Sequence, residues 1–540
     1  MASRVFKLLQ DNTTLNNNLK SMVFKPDTNT TTFLNPTPQR GDVNSIKFIK
    51  TIVPGDISGT FPVFAGQSQP VSVYQITYYS SNPINNNNVE LVSGSMFVPQ
   101  AITKSKIVEY SRGAINATDD LTACAWIRVN DPSWTNATPV QRSAFAYTVP
   151  LISWASLGYV VITADGFGLG VSLNRAGLIG SYYSCVNPSV DIVRAFKKYL
   201  DYTVSTSSNQ FQGQLSTSKL NVMHAGYSLG GIAGPAVMNE FKSGVSRSMS
   251  STEADKFSGV KGIFGASISA KPFFDYLYTN RATANTRYIN PTLVNLVIQA
   301  VVSNDIMYNL ATPGFRSNIL PTYVDDLGRG SSETTSGSDR ITGLFSRIFY
   351  DYTTNAVEYA TAGIQAPTII GGLPFVDWKQ MFTDDGMKIL GTFIENNIPF
   401  TSNMRQLVDL SNTPIVHIYG HADEYVNPQG PGGIDNSTNL DQYNLGPDRV
   451  GPNGPDGNPL WRFRGANKIC SKVNVTGADL LSNPISGTEA QMIASTIGMA
   501  NNQFINFKVD STAYGSILST HFGFGYIYCA YVYLILSQHP

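Results

Sequence analysis

The stretch HAGYSLGGIAG, residues 224–234, decides how the rest of the chain is read. Its centre, Gly226-Tyr227-Ser228-Leu229-Gly230, has the form G-x-S-x-G. KLNVMHA (219–225) reads as a strand running into it, and a helical stretch follows to about Phe241. A serine between strand and helix can sit on a turn sharp enough to present its hydroxyl. The residues two before and two after it must then be small, because strand and helix approach closely there. Gly226 and Gly230 meet that demand, and Gly231 adds room. The competing reading is a glycine-rich turn that happens to contain a serine. A serine hydroxyl becomes a nucleophile only when a histidine takes its proton and a carboxylate orients that histidine. The flanking sequence must therefore supply a base, an acid and a fold.

Working outward, VSVYQITYY (71–79) and VELVSGSMFVP (89–99) read as strands joined by the polar tract SSNPINNNN, a β-hairpin. KIVEYS (106–111) and YVVITAD (159–165) are short apolar strands ending in RGA and DGFGLG. NPSVDIVRAFKKYLDY (187–202) reads as a helix, with Asn187 as cap, Pro188 in the first turn and Ile192, Val193, Phe196 and Leu200 on one face. VKGIFGAS (260–267), TPIVHIYG (413–420) and NQFINFKV (502–509) are further strands. Apolar strands alternating with helices predict an α/β fold, a mostly parallel sheet with helices on both faces. Sites in such sheets lie at the carboxyl ends of the strands.

This predicts an irregular N-terminal arm (1–45), a core in two parts (46–269 and 411–540) and a helical cap between them (270–410). The cap reading rests on the helical stretches 291–310 and 385–397; the first could line an acyl pocket or simply pack on the core. Residues 428–459 are too rich in Gly, Pro and Asn for regular structure and read as a long loop.

Composition removes several classes of function. Hydrophobic residues make up 42% and charged residues 14%, enough for a large core and unlike a disordered chain. Lys+Arg and Asp+Glu are both 37, so no net charge draws the chain to nucleic acid or an anionic membrane. Cys124, Cys185, Cys470 and Cys529 form no C-x-x-C pair; no zinc site is expected, and the thiols read as free. The apolar run 522–536 is shorter than a membrane span and reads as a buried C-terminal helix. Residues 1–20 lack an apolar stretch of signal-peptide length, which favours an intracellular or particle-associated setting. Gly166, Gly168 and Gly170 lack dinucleotide-binding spacing.

With a serine at a strand–helix turn, the expected chain order is Ser, then Asp or Glu, then His. There are five histidines: His224, His417, His421, His521 and His539. His224 precedes the serine within a strand and reads as core or supporting residue. His417 alternates into a strand, and His539 is next to the terminus. Asp423, just past the strand 413–420, stands where the acid is expected, with Glu424 as runner-up. His421 precedes that acid; His521, in STHFGFG after the last strand, follows it and fits the base. The oxyanion needs two backbone N–H donors. Leu229, after the nucleophile, supplies one. Gly113 or Ala114, in the loop after strand 106–111, supplies the second.

In chain order, these stretches resemble the α/β-hydrolase superfamily, and within it the secretory-lipase (lipase A type) family of microbial lipases and esterases. The resemblance covers about 71–270 and 410–535. It is carried by YQITYYSSNP…VSGSMFVP, SWASLGYVVITADGFG, VDIVRAFKKYL, GYSLGGIAG, GIFGASISAKPFFDYL, GHADEYVNP and THFGFG. It implies an eight-stranded core, a helical lid before the acid-bearing strand, and hydrolysis of small-molecule or lipid carboxylic esters without a cofactor or metal. It also implies Ser228 as nucleophile, Asp423 as acid and His521 as base. Arg112 stands where related esterases often carry a histidine. Two other readings share the fold: a peptidase or amidase, and a non-catalytic, particle-associated scaffold.

Overall fold

A computed structural model describes residues 30–54, 68–82, 88–113, 149–167, 169–172, 182–206, 211, 214–242, 246, 248–265, 288–289, 368–370, 373–377, 414–420, 472–476, 504–510 and 521–538. Eleven strands form one sheet. In chain order they are β1 (Thr30–Thr32), β2 (Val43–Ile52), β3 (Val71–Ser81), β4 (Val89–Pro99), β5 (Lys106–Ser111), β6 (Val160–Ala164), β7 (Leu220–Tyr227), β8 (Phe257–Gly265), β12 (Ile415–Gly420), β13 (Lys472–Thr476) and β14 (Phe504–Asp510). The spatial order is β1-β2-β3-β4-β6-β5-β7-β8-β12-β14-β13. Pairing is antiparallel from β1 through β4 to β6. It is parallel from β6 to β13. The eight expected strands are the consecutive run from β3 to β14. Three helices are central to the site: α1 (Tyr182–Ser205), α2 (Leu229–Glu240) and α3 (His521–Gln538).

Alternate residues of the same strands enter two separate buried clusters. Ile107, Val160 and Val222 join Val186, Ile192 and Phe196 of α1 and Ala236 and Val237 of α2. Their neighbours Val108, Val161 and Met223 join Ile152 and Trp154 and, from α3, Tyr528, Val532 and Ile535. Each such side chain removed from water contributes about 1.5–3 kcal/mol, so the pleat of the sheet fixes which helix each strand residue can hold. The second cluster also satisfies its polar atoms. Trp154 Nε1 donates to Cys529 O (3.1 Å), and Tyr159 Oη donates to Leu536 O (3.1 Å). Burial holds the Tyr159 phenol well above its ordinary range, so it remains a donor.

Four elements depart from the sequence pattern. First, α1 begins at Tyr182, more than a turn before Asn187. Asn187 is no cap: its amide donates to Ser81 O (3.2 Å) and its side-chain oxygen accepts from Arg40 Nη2 (3.1 Å). Pro188 lies inside the helix, and its carbonyl accepts the Tyr78 hydroxyl (2.8 Å). Second, the arm is not irregular throughout, because β1 and the start of β2 lie within 30–45. Arg40 is bound into the core through Asp191 (3.1 Å), which also accepts from Ser80 Oγ (2.7 Å), Ser81 N–H (3.1 Å) and Arg194 (2.8 Å). A carboxylate so buried is tolerable only with its acceptor sites filled. Third, the described residues of 270–410 are strands: β9 (Tyr288–Ile289), β10 (Thr368–Ile370) and β11 (Leu373–Asp377) form a separate antiparallel sheet. The helical stretches 291–310 and 385–397 lie outside the described residues, as does the 428–459 loop. Fourth, β13, which the sequence pattern did not predict, lies parallel to β14 at the sheet edge.

The run 522–536 lies within helix α3, whose described side chains are mostly buried. No described helix is long and apolar enough to cross a membrane. Among the described residues Cys185 and Cys529 form no disulfide, while Cys124 and Cys470 lie outside the described residues.

Candidate active site

Ser228 stands between the last residue of β7 and the first of α2, with φ 57° and ψ −120°. Among the described residues it is the one non-glycine with positive φ. Such a conformation costs on the order of 1–3 kcal/mol and persists only where the surroundings over-determine it. Two glycines over-determine it here. A Cβ on Gly226 would overlap the Gly230 carbonyl, and one on Gly230 would overlap the Ser111 carbonyl oxygen. The backbone itself is gripped, because Ser228 N–H donates to Gly265 O on β8 (3.0 Å). Serine at a helix start ordinarily caps it through its oxygen, but the Ser228 side chain makes no cap hydrogen bond. The elbow therefore holds the hydroxyl in a set direction, half-buried, at the positive end of the α2 dipole.

The loop after β5 lies directly against this hydroxyl. A Cβ built on Gly113 would come within 4.0 Å of Ser228 Oγ and 3.2 Å of Tyr227 O. Its backbone thus lies beside the Ser228 side chain, and Leu229 is the first residue of α2. Two ties fix this loop. The Ser111 hydroxyl donates to Glu109 (3.0 and 3.2 Å). Arg112 Nη1 lies 3.7 Å from buried Asp165 Oδ1, and Asp165 also accepts Ser93 Oγ (2.6 Å). Asp165 is therefore an anchor for this loop. Ala114 lies outside the described residues.

His224 lies in the core, as its place before the serine implied. Its Nδ1 meets Glu109 Oε2 at 3.2 Å, with both side chains fully buried. Its ring stacks on Phe241 (5.3 Å), and its Nε2 has no partner among the described residues. Glu109 and His224 are register neighbours on β5 and β7, at the level before the elbow. This carboxylate–histidine pair belongs to the sheet interior.

The other two predicted residues come from strands further along the sheet. β12 ends at Gly420, three residues before Asp423, which lies outside the described residues. β14 is three strands from β7, on the order of 14 Å at the usual strand spacing. Helix α3 covers that gap, packing against both β12 and β7. It begins at His521, whose side chain lies outside the described residues. One turn in, the Phe524 ring is 6.4 Å from that of Tyr227. Two turns in, Tyr528 is 5.1 Å from the same ring. At helical spacing, positions 521, 524 and 528 fall on one face, so the base candidate's backbone starts the face that rests on the residue before Ser228.

Pattern reading missed Glu109, Ser111 and Tyr528. Tyr528 sits in an apolar run and reads as core; only its hydroxyl, seven positions after a candidate base, hints at more.

No family model matches the sequence, and no curated protein does. Solved structures do. A provisionally assigned hydrolase from Legionella pneumophila superposes with TM-score 0.50 at 12% identity, over 92% of this chain and 98% of that one. The rice cell wall degrading esterase LipA from Xanthomonas oryzae gives 0.49 at 17% identity, over 72% and 85%. Candida antarctica lipase A in its closed state gives 0.38 at 15%, over 76% of each. The superposition on the Legionella protein and the strand order on either side of the elbow agree on one architecture.

Proposed function

We propose that this chain, an α/β-hydrolase by fold, is a serine hydrolase that cleaves carboxylic esters through an acyl-enzyme. The observation that carries the reading is the elbow: a non-glycine held at φ 57° between two glycines that admit no side chain, with the Gly113 backbone beside its hydroxyl. Such strain is maintained where it serves a reacting group. Ser228 Oγ attacks the ester carbonyl carbon and passes its proton to His521. The carbonyl oxygen takes the negative charge and is stabilised by Leu229 N–H and by Gly113 or Ala114 N–H, each such donor worth about 3–4 kcal/mol in the transition state. The C–O bond then breaks, and the leaving alcohol takes the proton from His521. Water attacks the acyl-serine, His521 accepts its proton, and the acid departs as Ser228 is reprotonated. Asp423 holds the imidazole in the required tautomer throughout. No step calls for a metal or cofactor.

The same groups would serve an amide, and the substrate separates the two cases. Matched short-chain aryl esters and anilides should be offered to the wild type and to Ser228→Ala. Ester turnover that needs Ser228, with anilide turnover far slower, is the expected result. Faster anilide turnover would make the protein an amidase. No Ser228-dependent turnover of either, with no fluorophosphonate adduct on Ser228, would make it a non-catalytic scaffold.

A further inference from the structure

Tyr528 lies 300 positions beyond Ser228, yet it reaches both backbone segments that grip the elbow. Its hydroxyl accepts the Gly226 N–H (2.9 Å) and donates to Ile263 O (2.7 Å), tying β7 to β8 two residues before the serine. Its ring fills the space above Gly265, where a Cβ would be 2.5 Å from ring atom Cδ2. The Gly265 carbonyl is the one that accepts Ser228 N–H. The ring also packs on Tyr227, the residue before the nucleophile. Burial keeps the phenol well above the ordinary tyrosine range, so the hydroxyl stays a neutral donor and acceptor at working pH.

We infer that Tyr528 is a positioning residue for the nucleophile, a clasp that fixes the elbow from the side of the C-terminal helix. The inference rests on Ser228 being the nucleophile. Tyr528 touches no reacting atom; it acts through Gly226, Gly265 and Tyr227. Because α3 also opens with His521, the clasp couples the base-bearing helix to the serine-bearing turn. Its effect belongs on kcat, since misplacing a reacting group by a fraction of an ångström lowers the rate without touching substrate binding.

The test is Tyr528→Phe in the full chain, which keeps the ring and removes both hydrogen bonds. Tyr159→Phe is the control: it removes one buried hydroxyl bonded to the far end of the same helix, at Leu536 O. Both variants are assayed well below their melting temperatures, per folded molecule, with a short-chain aryl ester and for the rate of fluorophosphonate labelling. Tyr528→Phe is expected to lower kcat and the labelling rate by roughly ten- to a hundredfold with KM within about twofold, while Tyr159→Phe leaves both rates unchanged. Equal kcat and labelling in Tyr528→Phe and wild type would overturn the clasp. So would matching losses in the two variants. Should Tyr528→Phe not fold, Tyr227→Leu removes the ring on which Tyr528 packs and should show the same loss confined to kcat; a wild-type kcat in Tyr227→Leu overturns the clasp. A wild type that takes no label at Ser228 would overturn the underlying reading and the clasp with it.

Discussion

Two carboxylate–histidine pairs bear on the elbow, one bonded inside the sheet and one proposed from chain order, and the proposed function gives them opposite roles. Glu109 and His224 face each other across β5 and β7, fully buried, with the imidazole against Phe241. The pair proposed from chain order, Asp423 and His521, follows β12 and β14 in the sequence; β12 ends at Gly420, and α3 begins at His521. The first pair is the nearer in sequence to Ser228 and is visibly bonded. It nevertheless lies inside the sheet, with both side chains fully buried. The lesson is that position along the strand, more than proximity in sequence, separates a load on the core from a reagent.

That contrast can be broken by four substitutions and sharpened by a fifth. His521→Ala should lower kcat by on the order of 10⁵–10⁶, roughly 7–8 kcal/mol of barrier, with little change in urea stability. Asp423→Asn should cost about 10⁴ in kcat by presenting the wrong tautomer. His224→Ala should do the reverse. Removing one member of a buried pair leaves the other uncompensated, so urea unfolding should lose about 3–5 kcal/mol while kcat per folded molecule is kept. A loss of kcat in His224→Ala as large as in His521→Ala would exchange the roles assigned here.

Lys261 supplies the case of a buried charge with no ion pair among the described residues. Burial, aided by Lys106, lowers its pKa to about 8. The folded state then binds fewer protons than the unfolded state between about pH 8 and 10.5. Below that window the buried charge costs stability; as pH rises through it the cost disappears. Lys261→Met should therefore be more stable than wild type by about 3 kcal/mol at pH 7, and the gain should fade towards pH 10.5. A gain that does not change with pH would show that packing, not charge, is responsible. The smallest effect is expected of Ser111→Ala, which removes one hydroxyl from the shared Glu109 carboxylate and should cost about 1 kcal/mol in urea unfolding.

Much of this architecture could be read in advance, for a physical reason. The central strands are short, apolar and β-branched, and their described edges fall within a few residues of the pattern; β4 and β5 coincide with it. Gly226 and Gly230 announced the elbow, because no other residue fits where their Cβ atoms would fall. β2 escaped notice because its register slips between Val43 and Ser45 and again between Phe48 and Lys50, which breaks the period of two. β9, β10 and β13 are too short for any periodicity to emerge. The start of α1 was misjudged because Pro188 suits a first turn, and only the contacts of Asn187 with Ser81 and Arg40 reveal that it lies deeper. Of the predicted site, Ser228, Leu229 and Gly113 come together at the elbow. Glu109, Ser111 and Tyr528 were illegible, since their roles depend on strand register and on a contact between residues hundreds of positions apart.

The central claim is an acyl group on one serine. The wild type should be mixed with a short-chain aryl ester, acid-quenched within milliseconds, digested and weighed by mass spectrometry. One acyl mass on the peptide containing Ser228, absent from Ser228→Ala, is the predicted result. An acyl group on any other residue, or a release of aryl alcohol that persists at full rate in Ser228→Ala, would contradict it.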